Sequence, residues 1–577
     1  MSGIAGVFNL DGSPVAAGLL DGMLRDISHL GPDDSGLWLR GVVGFAHTQL
    51  RTTPESRYER QPLTLCNDKY TIVWDGRVDN RPQLIEELGP DVSVTEFTPD
   101  AELALWSYVK WGDDAPKRLV GDFAFVIWDD SRQRIFAARD PMGLRTVYYH
   151  LTDDAFVFAS DIRAITNYHG VAPRLNKLMV GLHLLGRNHE AEQTYYQGIN
   201  QIAPAGRMSV DLNGVNKDLY WQPRPWDVIE YDTLEEYVEH FRTVFRLSVE
   251  SKIRGITPIG ITLSGGMDST SIACTAADII KRNPSSDTKL TTFSSVFDDH
   301  EAADERSYIR HVLEKWDLEH NFILSDNLWA FKPLQNRDVF FSQPYAVPFQ
   351  ARHEGTLQLA RKSNVRVILT GEGGDEQLNP GFAFLLDHLM GFRLRKLRQE
   401  LKFVAPNSRK TFYKAAFWAL VPERIKRVYS RVRVGKAPRW MNYQFLKSSG
   451  ALSHTGITTE GHKFKDLHTE TTFVGLRGLS RQPHFTYIRE LWESYQVEPR
   501  HPFLDLRVID FLSRLPPHLK FKQGWTKYLL RKAMEGVLPD EIISRPGKTI
   551  FNDLLVTGYR EEKDRISNVL RDSRLIS

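Results

Sequence analysis

The chain changes its hydrophobic rhythm once. Up to about residue 215, apolar positions come in short runs cut by turn residues: Ile4–Leu10 before Asp11-Gly12, Val42–Ala46, Thr71–Trp74 before Asp75-Gly76, and Phe123–Trp128 before Asp129-Asp130. Short runs between turn signals predict antiparallel strands packed face to face. Gln222-Pro223-Arg224-Pro225 reads as a linker. From Leu234 the apolar positions recur with helical spacing, as in LEEYVEHFRTVFRLSVESKI. The apolar run Ile259–Leu263 then enters a Gly-rich turn and the helical SIACTAADIIKR. Leu290–Phe297 and the helical ADERSYIRHVLEKW follow, and Val365–Thr370 ends in a second Gly-rich turn. Strand and helix in alternation predict a doubly wound parallel sheet. The expected fold is an α+β sandwich domain over residues 1–215, followed by an α/β doubly wound parallel-sheet domain with helical additions over residues 230–577.

Composition narrows this little. The 577 residues are 41% hydrophobic and 25% charged with a net charge of +2, so no global field points to nucleic acid or a membrane surface. Two cysteines, Cys66 and Cys274, exclude a disulfide framework and a cysteine metal cluster. The start MSGIAGVFNLDGS lacks a signal peptide's basic and apolar regions, and no apolar run approaches 18 residues. A cytoplasmic location is expected.

The two Gly-rich turns carry the candidate chemistry. Ligands of open α/β sheets sit beyond the carboxyl ends of the strands. After Leu263, Ser264-Gly265-Gly266-Met267-Asp268-Ser269 lets backbone amides and a helix N-terminus meet phosphate oxygens, while Ser264 and Ser269 add hydroxyls. Asp268 would repel phosphate unless a Mg²⁺ lies between them. Thr370-Gly371-Glu372-Gly373-Gly374-Asp375-Glu376 repeats the logic, with Asp375 as the second metal carboxylate. The spacing is not that of a Walker loop, so γ-phosphoryl transfer is not expected.

Here a resemblance becomes specific. SGGMDS resembles the pyrophosphate-gripping loop of the asparagine synthetase family, and GEGGDE its second loop. Glu498–Asp505 is similar to the family's VRVPFLD segment and Trp525–Arg531 to its TKYLLR helix. SGIAGVF, His29–Asp33, Gly121–Phe125 and Ala138–Gly143 resemble its N-terminal half. The resemblance implies an Ntn-hydrolase-like glutamine-amidohydrolase domain joined to an ATP-pyrophosphatase synthetase domain. It also implies adenylation of a carboxylate, with Leu263, Ser264, Gly265, Gly266, Asp268, Ser269, Thr370 and Gly371 at the ATP, and amine attack on the acyl-adenylate.

The N-terminal half departs from the family pattern. The family's nucleophilic cysteine is replaced by Ser2, whose hydroxyl is not ionised at neutral pH. The family's arginine for the glutamine carboxylate aligns with Gln49, with Arg51 two residues on. The NGEIYN segment reads Asp75-Gly76-Arg77-Val78-Asp79-Asn80, putting a carboxylate where an oxyanion needs an amide. Asp100, the expected partner of the glutamine amine, is kept. This describes a vestigial glutaminase site, so the amine must come with the substrate. β-Lactam synthetases and lasso-peptide cyclases work that way. Ser544–Phe551 resembles the family loop that carries a catalytic lysine, here Lys548, after Arg545. β-Lactam synthetases have a tyrosine at the position of Glu372.

The resemblance therefore implies a lasso-peptide macrolactam synthetase using ATP and Mg²⁺, with Lys548 neutralising charge and Glu372 positioning or deprotonating the amine. Its expected partners are a precursor peptide and a leader peptidase or leader-binding protein, with no membrane or nucleic acid. The alternatives are a glutamine-hydrolysing asparagine synthetase that tolerates Ser2, a β-lactam-synthetase-like cyclase, and a scaffold without chemistry. Residues 393–440, with fifteen Lys/Arg against Glu400 and Glu423 and with interleaved Phe403, Phe412, Tyr413, Phe417, Trp418 and Tyr429, read as a solvated face or a docking platform.

Overall fold

The computed structural model describes residues 1–572 except 169–170, 188–189, 286, 345–346, 380, 405, 422–440, 455–458, 460, 548 and 550, and describes only the backbone at 406–408, 418–420 and 572. The strands that frame the molecule are β1 (Gly3–Asn9), β2 (Asp34–Arg40), β3 (Val43–Gln49), β4 (Leu63–Leu65), β5 (Tyr70–Val78), β6 (Gly121–Asp129), β7 (Arg134–Arg139), β8 (Tyr148–Leu151), β9 (Ala155–Ala159), β10 (Ile199–Gln201), β11 (Gly206–Asp211) and β12 (Gly214–Leu219), then β13 (Ile259–Thr262), β14 (Leu290–Val296), β15 (Glu319–Leu324), β16 (Val367–Leu369) and β17 (Glu498–Arg500).

Among the described residues the N-terminal strands form two six-stranded antiparallel sheets, ordered β10-β8-β9-β1-β3-β2 and β12-β11-β7-β6-β5-β4. Both faces of each sheet are covered, and the sequence shows why. Along β6, Ala124, Val126 and Trp128 face the sandwich interior with Phe8, Phe45 and Phe158. The alternate residues Phe123, Phe125 and Ile127 pack on Leu105 and Tyr108 of the helix Asp100–Trp111. Ala5 and Val7 of β1 likewise meet Leu20, Met23 and Ile27 of the helix Ala17–Ile27. The result is a four-layer helix-sheet-sheet-helix sandwich. The strand pattern foresees Asp75-Gly76 as a turn; instead both residues lie inside β5, opposite Ala124 and Phe123. The glycine serves close packing rather than chain reversal, since a Cβ there would stand 2.5 Å from the Asp122 carbonyl oxygen.

The C-terminal sheet is parallel throughout, in the order β15-β14-β13-β16-β17. The apolar faces of the helices Leu234–Ile253 and Met267–Arg282 pack against β13 and β16, through Phe241, Phe245, Ile272, Ile261 and Leu369. The connection from β13 leads to β14 on one side, while β16 lies on the other, so the strand order reverses between β13 and β16. In such sheets the crevice outside that reversal is where ligands bind. No helix among the described residues is long and apolar enough to cross a membrane.

The two halves meet through buried charge. Glu498 of β17 contacts Arg77 at 3.2 Å, Arg145 at 3.1 Å and Arg500 at 2.7 Å. Lys252 bridges Asp79 at 2.9 Å and Asp505 at 3.0 Å. Lone buried charges would be strongly unfavourable, so each is paired across the junction.

Candidate active site

β13 and β16 are hydrogen-bonded neighbours, with Ile261 opposite Leu369, so the two Gly-rich turns leave the sheet side by side. They touch. A Cβ on Gly371 would lie 3.1 Å from the Ser269 nitrogen, and one on Gly374 would lie 2.6 Å from Asp268 Cγ. Any side chain at Gly374 would displace the Asp268 carboxylate. Gly265 adopts φ 63°, a left-handed conformation that favours glycine, and turns the backbone from β13 into the helix Met267–Arg282. The Ser264 N–H donates to Ser269 Oγ at 3.1 Å, and the two hydroxyls are 2.9 Å apart.

The turns and the walls around them enclose a cavity of about 490 Å³. Leu263, Ser264, Gly266, Asp268, Ser269, Thr370, Gly371, Glu372 and Asp375 all line it. The sequence-derived ATP and metal residues are therefore brought together at one site, with Gly265 just behind the wall. Phe293, Phe297, Ile488, Trp492 and Phe551 supply apolar wall. Arg352, on the helix Gln350–Lys362, also lines it, with its guanidinium 4.8 Å from the Phe349 ring centre and 4.7 Å from that of Phe551.

Asp268 and Asp375 converge on one ammonium. Lys527 Nζ pairs with Asp268 and stands 2.6 Å from Asp375 Oδ1. Two carboxylates that reach the same cation are a donor set suited to Mg²⁺, which takes one or two protein carboxylates and completes its shell with phosphate oxygens and water. Among the described residues no group of three or more His, Cys, Asp or Glu could hold a metal alone.

Glu372 reaches the cavity with 34% of its side chain exposed, and its Oε2 lies 3.4 Å from His484 Nε2. Burial alone would raise its carboxyl, but the hydrogen bond and charge of His484 outweigh that and hold it down to about 2. Lys548 lies outside the described residues. Its neighbour Thr549 lines the cavity and donates to Glu305 Oε1 at 2.8 Å. Arg545 ties the same loop to the first turn, donating to the Gly265 carbonyl at 3.0 Å and pairing with Glu305 at 2.8 Å.

The second candidate site, in the sandwich, is filled by the protein itself. Asp100 Oδ2 accepts from the Val78 N–H at 3.0 Å and lies 3.4 Å from Arg254, while Oδ1 pairs with Arg81. The buried Arg81 is held there by the Glu96 and Thr98 carbonyls, each at 2.7 Å. Gln49 is buried at the end of β3 and donates to the Ser56 carbonyl at 2.9 Å. Arg51 turns instead to Asp34, at 3.0 Å. Ser2 Oγ accepts from the Leu50 N–H at 3.2 Å, and the Ser2 N–H donates to Asp75 Oδ1 at 2.9 Å. Asp75 sits 3.7 Å from Arg145, and burial pushes its carboxyl up. Gly76 packs beneath it against β6.

The sequence missed Lys527, Arg81, Arg254, His484 and Arg352. Lys527 stood inside the quoted TKYLLR-like segment, so position was a signal. Arg81, next to Asn80, had only its neighbourhood to mark it. The basic segment is only partly described, since Glu423 and Tyr429 lie outside it, as does the Trp418 side chain. Phe403, Tyr413 and Phe417 are exposed, whereas Phe412 is buried in a small core with Phe384 and Leu397.

Comparison with known proteins bears on these two sites. The family model described as asparagine synthase matches residues 240–576, and that described as a glutamine amidotransferase domain matches residues 1–221. Asparagine synthetase [glutamine-hydrolyzing] 3 of Bacillus subtilis is 26% identical over 542 residues, covering 91% of this chain and 83% of that protein. Amidase chyE of Penicillium rubens is 25% identical over 568 residues, again covering 91% and 83%. Among solved structures, the glutamine phosphoribosylpyrophosphate amidotransferase of B. subtilis is similar with 13% identity and a TM-score of 0.29, covering 65% of this chain and 77% of that one.

Proposed function

The chain belongs to the asparagine synthase family of ATP-dependent amide-forming ligases, and from that premise we propose that it is a macrolactam synthetase of the lasso-peptide cyclase kind. It adenylates an Asp or Glu side chain of a precursor peptide, releasing pyrophosphate, and the peptide's own N-terminal amine then closes the ring and releases AMP. A leader peptidase or leader-binding protein prepares the peptide.

The observation that carries this reading is the state of Asp100. Drawing ammonia from glutamine requires a carboxylate able to receive the glutamine amine. Here that carboxylate is buried against the guanidinium groups of Arg81 and Arg254. Displacing two held guanidiniums would leave buried charges unpaired. With that source closed, the nucleophile comes with the substrate, and a cavity of about 490 Å³ with an apolar wall suits a peptide segment.

In this reading the roles divide as follows. Ser264, Ser269 and the amides of the first turn hold the phosphates, and Thr370 and Gly371 close the opposite side. Mg²⁺, held by Asp268 and Asp375, would offset the charge of the phosphates and of the departing pyrophosphate. Glu372 faces the amine. Lys548, carried by the loop that Arg545 anchors to Gly265, meets the charge that develops on the acyl oxygen and phosphate during attack.

ATP–pyrophosphate exchange tests this. Exchange should be stimulated by a short peptide with a free N-terminus and an internal Asp or Glu, and not by L-aspartate. The names of the relatives favour a second reading, a glutamine-hydrolysing asparagine synthetase. Exchange driven by L-aspartate, with asparagine formed from glutamine, would establish it instead.

A further inference from the structure

The helix Pro483–Glu493 runs along the cavity, and Ile488 and Trp492 on it form part of the wall. Residues four apart share one helical face. His484 continues that face by one turn, and there its Nε2 meets Glu372 Oε2 at 3.4 Å. His484 is the second residue of the helix, in its first turn.

Other groups face Glu372. His353, from the helix Gln350–Lys362, and His501, which follows β17, both act on its charge. Burial pushes the imidazoles of His353 and His501 down to about 4, so both are neutral at working pH. His501 Nδ1 is also engaged by Thr370 Oγ1, at 2.7 Å. Glu376, in the short helix after the second turn, adds like charge near Glu372. His484 is thus the histidine in ion-pair contact with the carboxylate. Its side chain is 20% exposed, which gives a proton a way to water.

We propose that His484 is the positioning residue of an amine subsite: it fixes the Glu372 carboxylate at the cavity wall, and Glu372 receives the primary amine that attacks the acyl-adenylate. The inference rests on the amide-ligase reading above but not on the identity of the peptide. In the step it serves, a C–N bond forms and the bond from the acyl carbon to the AMP oxygen breaks. AMP leaves with that electron pair. The proton lost by the nitrogen passes to the Glu372–His484 pair and from there to water. Without His484, the largest of the influences that oppose burial of Glu372 is gone, so its carboxylate is protonated at a higher pH. The acid limb of the amide-forming step therefore moves to higher pH.

The test uses the full-length enzyme, ATP, and hydroxylamine as the small amine probe, with either L-aspartate or an acidic peptide as the carboxylate. Hydroxamate formation and pyrophosphate exchange are measured from pH 3 to 9 for wild type, His484→Ala and His484→Gln. The ratio of hydroxamate formation to exchange should fall in His484→Ala by on the order of ten- to a hundredfold, the usual loss when a group that orients a functional residue is removed. The half-maximal amine concentration should rise, and the acid limb should move up in pH. His484→Gln, which keeps a hydrogen-bond donor but not the charge, should recover part of the ratio and part of the pH shift. An unchanged ratio and an unchanged limb in both variants would overturn the role of His484. Absence of exchange in the wild type with both carboxylates would instead overturn the ligase reading.

Discussion

Lys527 stands 2.6 Å from Asp375, and its ammonium is shared with Asp268. Residues from three separate stretches of chain are thus drawn to one point beyond the β13–β16 edge. In the proposed function, that point is where the phosphates of ATP meet the protein. Asp268→Asn should lower pyrophosphate exchange by on the order of 10²-fold or more, the scale of losing a fixed group that meets developing charge. Exchange at the wild-type rate would remove Asp268 from the phosphate site.

Gly374 tests the contact between the two turns. Gly374→Ala would place a Cβ 2.6 Å from Asp268 Cγ. Overpacking of this kind typically destabilises by about 1–3 kcal/mol. Exchange should fall far more than the melting temperature does. A variant with full exchange would show that the turns have room to separate.

Glutamine should not be hydrolysed. Ser2, Gln49 and Asp75 lack the expected chemistry, and Asp100 is taken by Arg81 and Arg254. Glutamate release from glutamine should stay at the uncatalysed rate. Steady release that disappears in Ser2→Ala would restore a working glutaminase.

Stability should peak in mild acid. Burial would raise the carboxyl of Glu498, but Arg500, Arg145 and Arg77 outweigh it and hold the group well below its ordinary value of 4.5. Asp505 is likewise lowered, with burial opposed by Lys252. Their contribution is complete above the ordinary carboxylate range and is lost as pH falls. Glu59 and Glu490 have the opposite sign: burial raises both to about 7, so their contribution drains as pH rises through 7. Burial pushes His353 and His501 down to about 4, which adds stability that is lost as pH falls below 6.5, so thermal unfolding followed from pH 3 to 9 should give a maximum at roughly pH 6. A midpoint that climbs steadily to pH 9 would contradict these assignments.

Much of this was legible in the sequence because local pattern carried it. The apolar run Phe123–Trp128 of β6 and the β13–turn–helix unit are both written in consecutive residues. The third and fifth partners of the parallel sheet were harder. β15 is half-exposed, and β17 is Glu498-Pro499-Arg500, with no apolar run to reveal it. It is a strand because its backbone pairs with β16, its Glu498 is matched by Arg77, Arg145 and Thr52 from the other domain, and its Arg500 pairs with Glu498. The candidate site divides in the same way. Glycines and acids at strand ends announce themselves, but Arg81 and His484 acquire meaning only from residues far away in the chain.

Ring closure removes one water from the peptide, and mass spectrometry reads that change. The enzyme is incubated with ATP, Mg²⁺ and a leaderless precursor peptide whose N-terminus is free. The peptide should lose one water, and the loss should depend on its internal Asp or Glu. With Lys548→Ala, ring closure should fall by about 10²–10³, the loss typical of one charge-stabilising group, while ATP still binds. Every candidate peptide left linear, with aspartate converted to asparagine by ammonia, would rule out a macrolactam synthetase.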